Sequence, residues 1–240
     1  ARFRSHIDGA PHVFTPERII DIQRIIGADI MMVLDECPPG NASYKYAAES
    51  LALTLQWLQR CFAQYRRTVG LYGYEQALFP IVQGASYLDL RTKSAETCMH
   101  YDASGYAIGG LAVGEPTEVM YAVLEHLHPI LPDERPRYLM GVGTPVNLVE
   151  AVARGIDMFD CVMPTRNARN GMLFTWDGII NIRNWKWRND FTPLDAHSTL
   201  ETDRSYTRAY LRHLFVSGEM LGAQIASLHN IGFYLALMEE

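Results

Sequence analysis

The chain has only four cysteines, Cys37, Cys61, Cys98 and Cys161, and no two of them form a C-x-x-C pair. Neither a disulfide framework nor a cysteine metal centre is therefore expected, and all four read as reduced thiols. No uninterrupted apolar run approaches the roughly 18 residues that cross a bilayer. The basic start Ala1-Arg2-Phe3-Arg4 is not followed by a signal-peptide core, so a cytoplasmic protein with no membrane partner is expected. No Ser, Gly or Pro-rich linker divides the chain, and one domain over residues 1–240 is the default. Basic residues are not in surplus either: 21 Lys+Arg stand against 27 Asp+Glu, for a net charge of −6. Any nucleic-acid contact must then be local. With 48% hydrophobic and 20% charged residues, the disordered and coiled-coil classes are excluded.

The richest segment present is Gly155 to Gly171, read Gly-Ile-Asp-Met-Phe-Asp-Cys-Val-Met-Pro-Thr-Arg-Asn-Ala-Arg-Asn-Gly. Ile156 to Met163 is an apolar run of strand length, and Pro164 would end it by removing a ladder donor. Asp160 then sits where a strand opens into a loop, with the fork-shaped donors of Arg166 and Arg169 a few residues on. That set suits chemistry on a polyanion, with phosphate contact near a reacting sugar. For the segment alone, a capping Asp and two solvated arginines is an equally good reading. Arg135, Arg137, Arg154, Arg183, Lys186 and Arg188 add a local basic excess, for which a solvated face is the commoner explanation.

Strand-like runs alternate with amphipathic helices, the signature of a parallel α/β architecture. Ile30 to Leu34, Ala77 to Val82, Gly105 to Ile108, Arg137 to Met140 and the Asp160 run read as strands. Helical patterns lie over about 47–67, 87–100, 117–131 and 146–154. The strands end in Asp35, Gln83, Gly109-Gly110, Gly141-Val142-Gly143 and Asp160. Parallel α/β barrels assemble their active sites at such ends. Two carboxylates, an amide and exposed N–H groups on one rim could recognise the edges of a planar heterocycle. Each taken singly also has a plain explanation, as a turn glycine or a capping Asp. Beyond them, 172–183 reads as a hairpin about an Asp-Gly turn, and 206–237 as helix interrupted by Gly218, Gly222 and Gly232.

With these residues assembled, the chain resembles the bacterial tRNA-guanine transglycosylase family, also called queuine tRNA-ribosyltransferase. The resemblance rests on Ser5-His6-Ile7-Asp8-Gly9, Leu34-Asp35-Glu36-Cys37, Val82-Gln83-Gly84, Gly109-Gly110-Leu111-Ala112-Val113-Gly114-Glu115 and Tyr138-Leu139-Met140-Gly141-Val142-Gly143, in family order. The Asp160 segment and Arg208-Ala209-Tyr210 complete it. It implies a (β/α)8 TIM-type barrel, incomplete at the N-terminus, over 1–183, with a C-terminal helical subdomain over 184–240. The implied activity exchanges guanine at the wobble position of a tRNA with a G-U-N anticodon for a 7-deazaguanine, with 7-aminomethyl-7-deazaguanine favoured over queuine by the bacterial resemblance, and no nucleotide cofactor is consumed. Asp160 matches the nucleophile of a covalent ribosyl-enzyme. Asp35, Gln83 and Gly110, with Gly109 and Leu111, match the base pocket. Gly141, Val142, Gly143, Thr144, Pro145, Val146 and Asn147 match a tRNA-contacting loop, and Thr165, Arg166, Asn167, Ala168 and Arg169 match the segment reading bases around the wobble position. The family also implies a homodimer.

Two departures stand out. Nothing in the chain matches the family's Asp-Ser-Gly-Gly-Phe motif, whose carboxylate is the proton acceptor; Asp8 and Asp157 are not substitutes. A fragment, or a rim completed by another chain, is the expectation. The family's zinc pattern, C-x-C-x-x-C and a histidine, aligns with Ser198, Leu200, Asp203 and His229, so only His229 matches a ligand and no metal is expected. His197 and Asp203 offer at most weak metal binding. Packing by Leu211, Leu214, Phe215, Leu221, Ile225 and Leu228 is expected to hold the subdomain instead. The alternatives to an enzyme are a non-catalytic tRNA-binding or partner subunit and an inactive fragment.

Overall fold

The structure, a computed structural model, describes residues 1–240. Strands β1 (Arg2–Arg4) and β2 (Pro11–Val13) pair antiparallel, and Asp8 Oδ1 accepts the Ala10 N–H at 3.1 Å in the turn between them. Helix α1 (Pro16–Ile26) follows; Thr15 caps it through the Arg18 N–H, Pro16 fills its first turn and Gly27 ends it at φ +77°. Its Ile-Ile pairs conceal a helix that the sequence reading does not contain. Next come β3 (Ile30–Met32), α2 (Tyr44–Arg67), β4 (Ala77–Phe79), β5 (Ile81–Val82), α3 (Leu88–Met99), β6 (Tyr106–Ile108), α4 (Thr117–Leu127), β7 (Arg137–Leu139), α5 (Pro145–Val152) and β8 (Met158–Phe159).

The expected strand 77–82 is split at Pro80, which has no N–H to give a ladder. Its first half pairs in parallel with β3 and its second with β6; β6 pairs with β7, and β7 with β8, all parallel. The result is a mixed α/β fold on an open row of short parallel strands, and the row is not closed into a barrel. Each polar strand end therefore emerges at the same, carboxyl edge of the row. Beneath it lies one apolar core with Ile20, Met31, Val82, Ile108, Leu124 and Leu139. Gly105 is forced there, because a Cβ would stand 2.2 Å from the Phe79 ring.

The run from Ile156 to Met163 is not one strand. Only Met158–Phe159 joins the ladder, and Pro164 lies in the first turn of helix α6 (Met163–Arg169), where proline's fixed φ is compatible with a helix. The hairpin β9 (Met172–Thr175) and β10 (Gly178–Asn181) turns on Trp176-Asp177, one residue before the expected Asp-Gly, with Gly178 paired to Thr175 at φ +114°. A 3-10 turn (Trp185–Asn189), α7 (Glu201–Ser205), α8 (Arg208–Ser217) and α9 (Met220–Glu239) complete the chain. Gly218 ends α8 in a left-handed conformation, whereas Gly222 and Gly232 lie inside α9. No helix is long and apolar enough to cross a membrane.

By packing the chain forms two compact units, residues 1–142 with 146–160, and 143–145 with 161–240. The sequence places the division after Arg183 instead. The hairpin joins the second unit because Leu173, Ile180 and Ile182 share a core with Leu211, Leu214, Phe215 and Ile225. Leu221 and Leu228, expected in that core, face outward.

Candidate active site

Adjacent strands bring Asp35 and Gln83 together. Gln83 Nε2 donates to Asp35 Oδ2 at 2.7 Å, and the Gln83 main-chain N–H donates to the buried Ser94 Oγ at 3.0 Å. Burial pushes the Asp35 carboxyl above its usual value, against the Gln83 hydrogen bond. Gln83 Oε1 is buried and accepts no hydrogen bond. The amide lies across the two glycines after β6: a Cβ on Gly109 would stand 2.8 Å from Gln83 Nε2, and one on Gly110 2.3 Å from Oε1. Gly110 also needs glycine's freedom at φ +66°. Leu111 is buried in the core beside them.

Asp160 follows β8 directly and is exposed. Its Oδ1 accepts two hydrogen bonds, from the Tyr138 hydroxyl and the Gly141 N–H, each 2.7 Å, while Oδ2 accepts none. One carboxylate oxygen is thus fixed and the other is open. Tyr138, on β7, is a residue that the sequence reading passed over, although it stands at the head of a quoted motif. Burial and the neighbouring carboxylate push its phenol well above the usual tyrosine range, so at neutral pH it donates to Asp160. Asp157 has a different task, accepting the Arg137 N–H at 2.8 Å.

The remaining expected contact residues divide between the units. In the first, Gly141 is left-handed (φ +74°), Val142 is buried in the core, Val146 is exposed, and Asn147 Oδ1 accepts the Tyr121 hydroxyl at 2.8 Å. In the second, Gly143 is a close-packed point, where a Cβ would sit 1.9 Å from Cys161 Sγ, and its carbonyl accepts the Tyr234 hydroxyl at 2.5 Å. Thr144 and Pro145 lead into α5. Thr165, Arg166, Asn167, Ala168 and Arg169 lie on a helix, not in the loop that the apolar run suggests. Ala168 is buried, while Arg166 and Arg169, three apart on one face, are exposed and in no ion pair. The rest of the local basic excess is largely engaged. Arg135 pairs with Asp102, Arg137 with Asp133, and Arg154 with Glu125 and Glu150. Arg183, Lys186 and Arg188 lie over Phe215, Trp187 and Trp185.

The zinc implied by the resemblance is not matched by the residues present. His229 Nδ1 lies 2.9 Å from Asp203 Oδ2, and Nε2 lies 2.8 Å from the Phe174 carbonyl oxygen. A carbonyl only accepts, so Nε2 is the donor to Phe174, while Nδ1 faces the Asp203 carboxyl, and both ring nitrogens are engaged within the protein. Leu200 has no ligand atom and packs against Gly232, where a Cβ would meet its Cδ1 at 2.1 Å. His197 faces Asp177 at 3.6 Å rather than Asp203, and no three His, Cys, Asp or Glu side chains are grouped to hold an ion. The next residue on α9, Asn230, adds to the tie: its amide binds the Pro164 and Met172 carbonyls and accepts the Phe174 N–H. A concavity of about 980 Å³ in this unit, beside Trp176, His197, Asp203 and Phe233, contains none of the expected base-pocket residues.

The family model described as queuine tRNA-ribosyltransferase matches residues 1–240. Proteins named queuine tRNA-ribosyltransferase from Thermoanaerobacter pseudethanolicus and Caldanaerobacter subterraneus are each 50% identical over 238 residues, which is 99% of this chain and 62% of theirs. The protein of that name from Aquifex aeolicus is 48% identical over 240 residues, 99% of this chain and 62% of its own length. The chain thus spans about three-fifths of the length of these relatives. It belongs to the queuine tRNA-ribosyltransferase family.

Proposed function

We propose that the protein exchanges guanine at the wobble position of a G-U-N tRNA for a 7-deazaguanine such as 7-aminomethyl-7-deazaguanine, as a cytoplasmic pentosyltransferase of queuosine biosynthesis. The observation that carries this reading is the divided Asp160 carboxylate, with Oδ1 held by Tyr138 and Gly141 and Oδ2 open. In this reading Oδ2 attacks the ribose C1′ as the C1′–N9 bond breaks, and guanine leaves with the bonding pair and takes up a proton. N9 of the incoming base, losing its proton, then attacks C1′ and breaks the ester to Asp160. Two inversions give retention, as in retaining glycosidases.

Asp35, Gln83, Gly109, Gly110 and Leu111 form the base pocket of this proposal. The Asp35 carboxylate accepts N–H groups of the pyrimidinone edge, and the Gly110 N–H meets its carbonyl. Gly141 to Asn147 and Thr165 to Arg169 contact the tRNA, with Arg166 and Arg169 supplying the unpaired cations. The open strand row forms part of a (β/α)8 barrel, with 184–240 as the C-terminal subdomain and a homodimer as the assembly. No metal enters the reading, since Leu200, at one of the aligned ligand positions, has no ligand atom and packs against Gly232.

Exchange of labelled guanine into a G-U-N tRNA by the full-length protein, abolished by Asp160→Ala, is the expected result. Unchanged exchange in that variant would end the proposal. The alternative outcome is a tRNA-binding subunit without exchange. Salt-sensitive tRNA binding without exchange would select it.

A further inference from the structure

Arg91, on α3, is completely buried and has no acidic partner. Its guanidinium is bonded only to main-chain carbonyls: Nε to Ala85 at 2.8 Å, one terminal nitrogen to Val82 at 2.9 Å and Gly109 at 2.7 Å, the other to Gly110 at 3.2 Å. Burial lowers its pKa to about 10, which leaves it charged at neutral pH. An uncompensated cation is a costly way to fill a core, and a leucine or methionine would pack at less expense. The carbonyls that it gathers belong to the ends of two neighbouring strands.

Peptide geometry gives this arrangement a consequence. All peptide bonds here are trans, so each C=O points opposite to the N–H of the same peptide plane. With the Gly109 carbonyl drawn to Arg91, the Gly110 N–H points away from it, and that N–H donates to no group of the chain. The Gly110 carbonyl fixes the Leu111 N–H in the same way. The guanidinium charge behind these peptides polarises their N–H groups, which strengthens them as donors to a base oxygen and to negative charge on a departing base.

We propose that Arg91 is a positioning residue that aims and polarises the Gly110 N–H toward the 6-oxygen of the exchanged base. This rests on the base-pocket reading above. No carboxylate of the pocket approaches Arg91 within ion-pair distance, so the action runs through the main chain.

The test compares binding of guanine and 6-thioguanine, which keeps N1–H and the 2-amine but replaces the oxygen with a weak acceptor, by calorimetry on the full-length protein. The wild type is expected to favour guanine by about tenfold, the value of one well-made hydrogen bond to a strong acceptor. Arg91→Met should bring that ratio close to one, and Arg91→Lys, which keeps the charge but not the fork, should retain part of it. A structural role would weaken both bases equally, and equal weakening overturns the proposal. So does a wild-type ratio near one, or failure of both variants to fold, which makes Arg91 a folding residue. Asp35→Asn separates the two levels. If it abolishes guanine binding while the Arg91 variants keep the full ratio, the pocket stands and Arg91 does not aim it; if the wild type binds neither base, the pocket reading itself fails.

Discussion

In the first unit the buried cation Arg91 meets only main-chain carbonyls, whereas in the second the buried Asp203 meets the buried His229. The first arrangement leaves a charge uncompensated and arranges the backbone at strand ends, where Gly110 and Gln83 keep unfilled hydrogen-bonding capacity. The second pairs its members through Asp203 Oδ2, with Asp203 Oδ1 buried and without a partner, and joins segments far apart in sequence. Asp203 lies on α7, His229 on α9 and Phe174 on β9, so one buried pair and one carbonyl tie three elements. The first arrangement holds main-chain donors open at strand ends, which suits binding; the second links three elements, which suits holding a subdomain together.

Changes at Asp160 should break that contrast most severely. Asp160→Asn is expected to lower base exchange by at least about 10³-fold with little change in melting temperature, because the residue is exposed and the nucleophile is lost. Steady-state exchange and a thermal melt of the same sample check this. His229→Ala should do the reverse in kind. Removing one partner of a buried pair leaves the other unsatisfied, at about 3–5 kcal/mol. Denaturant unfolding should show it, and His229→Leu with Asp203→Leu should cost less than the sum of the single changes. A chelator should leave the wild-type melt unmoved, since Leu200 leaves the aligned metal pattern without a ligand atom.

Smaller effects sharpen the picture. Tyr138→Phe removes one of two donors to Asp160 Oδ1, worth about 1 kcal/mol, so the exchange rate should fall about five- to tenfold with tRNA affinity unchanged. Burial raises the Asp35 pKa, which means that folding favours its protonated form. The charged carboxylate therefore costs stability at neutral pH, and that cost disappears as pH falls through the raised value. Base binding runs the other way. It needs the carboxylate, and should weaken on acidification beginning above the ordinary aspartate value of 3.8, in a profile that Asp35→Asn abolishes. Arg166→Ala and Arg169→Ala should each reduce the salt slope of tRNA binding by about one, leaving base affinity untouched.

The strand ends were legible because hydrophobic runs stop at polar residues: Asp35, Gln83, Gly109-Gly110 and Asp160 all emerge where expected. Local rules misled where one residue admits two readings. Pro164 ends a strand or begins a helix, and only the packing of Ala168 with Leu173 and Leu211 selects the helix. Thr15, Pro16 and Gly27 spell helix caps around α1, a segment that the sequence reading passed over. Arg91 was not legible at all, and Asp203 and His229 were singled out only as positions of a metal pattern; their bonds to each other and to Phe174, up to 55 residues away, exist only in the tertiary structure. Tyr138 was visible as a motif letter, and its role appeared only with the distance to Asp160.

Trapping of the covalent intermediate tests the central claim most directly. The full-length protein, denatured during turnover with a G-U-N tRNA, should carry a ribosyl adduct that peptide mass spectrometry assigns to Asp160 and that disappears in Asp160→Asn. An adduct on another residue, or full exchange by Asp160→Asn, would contradict the account.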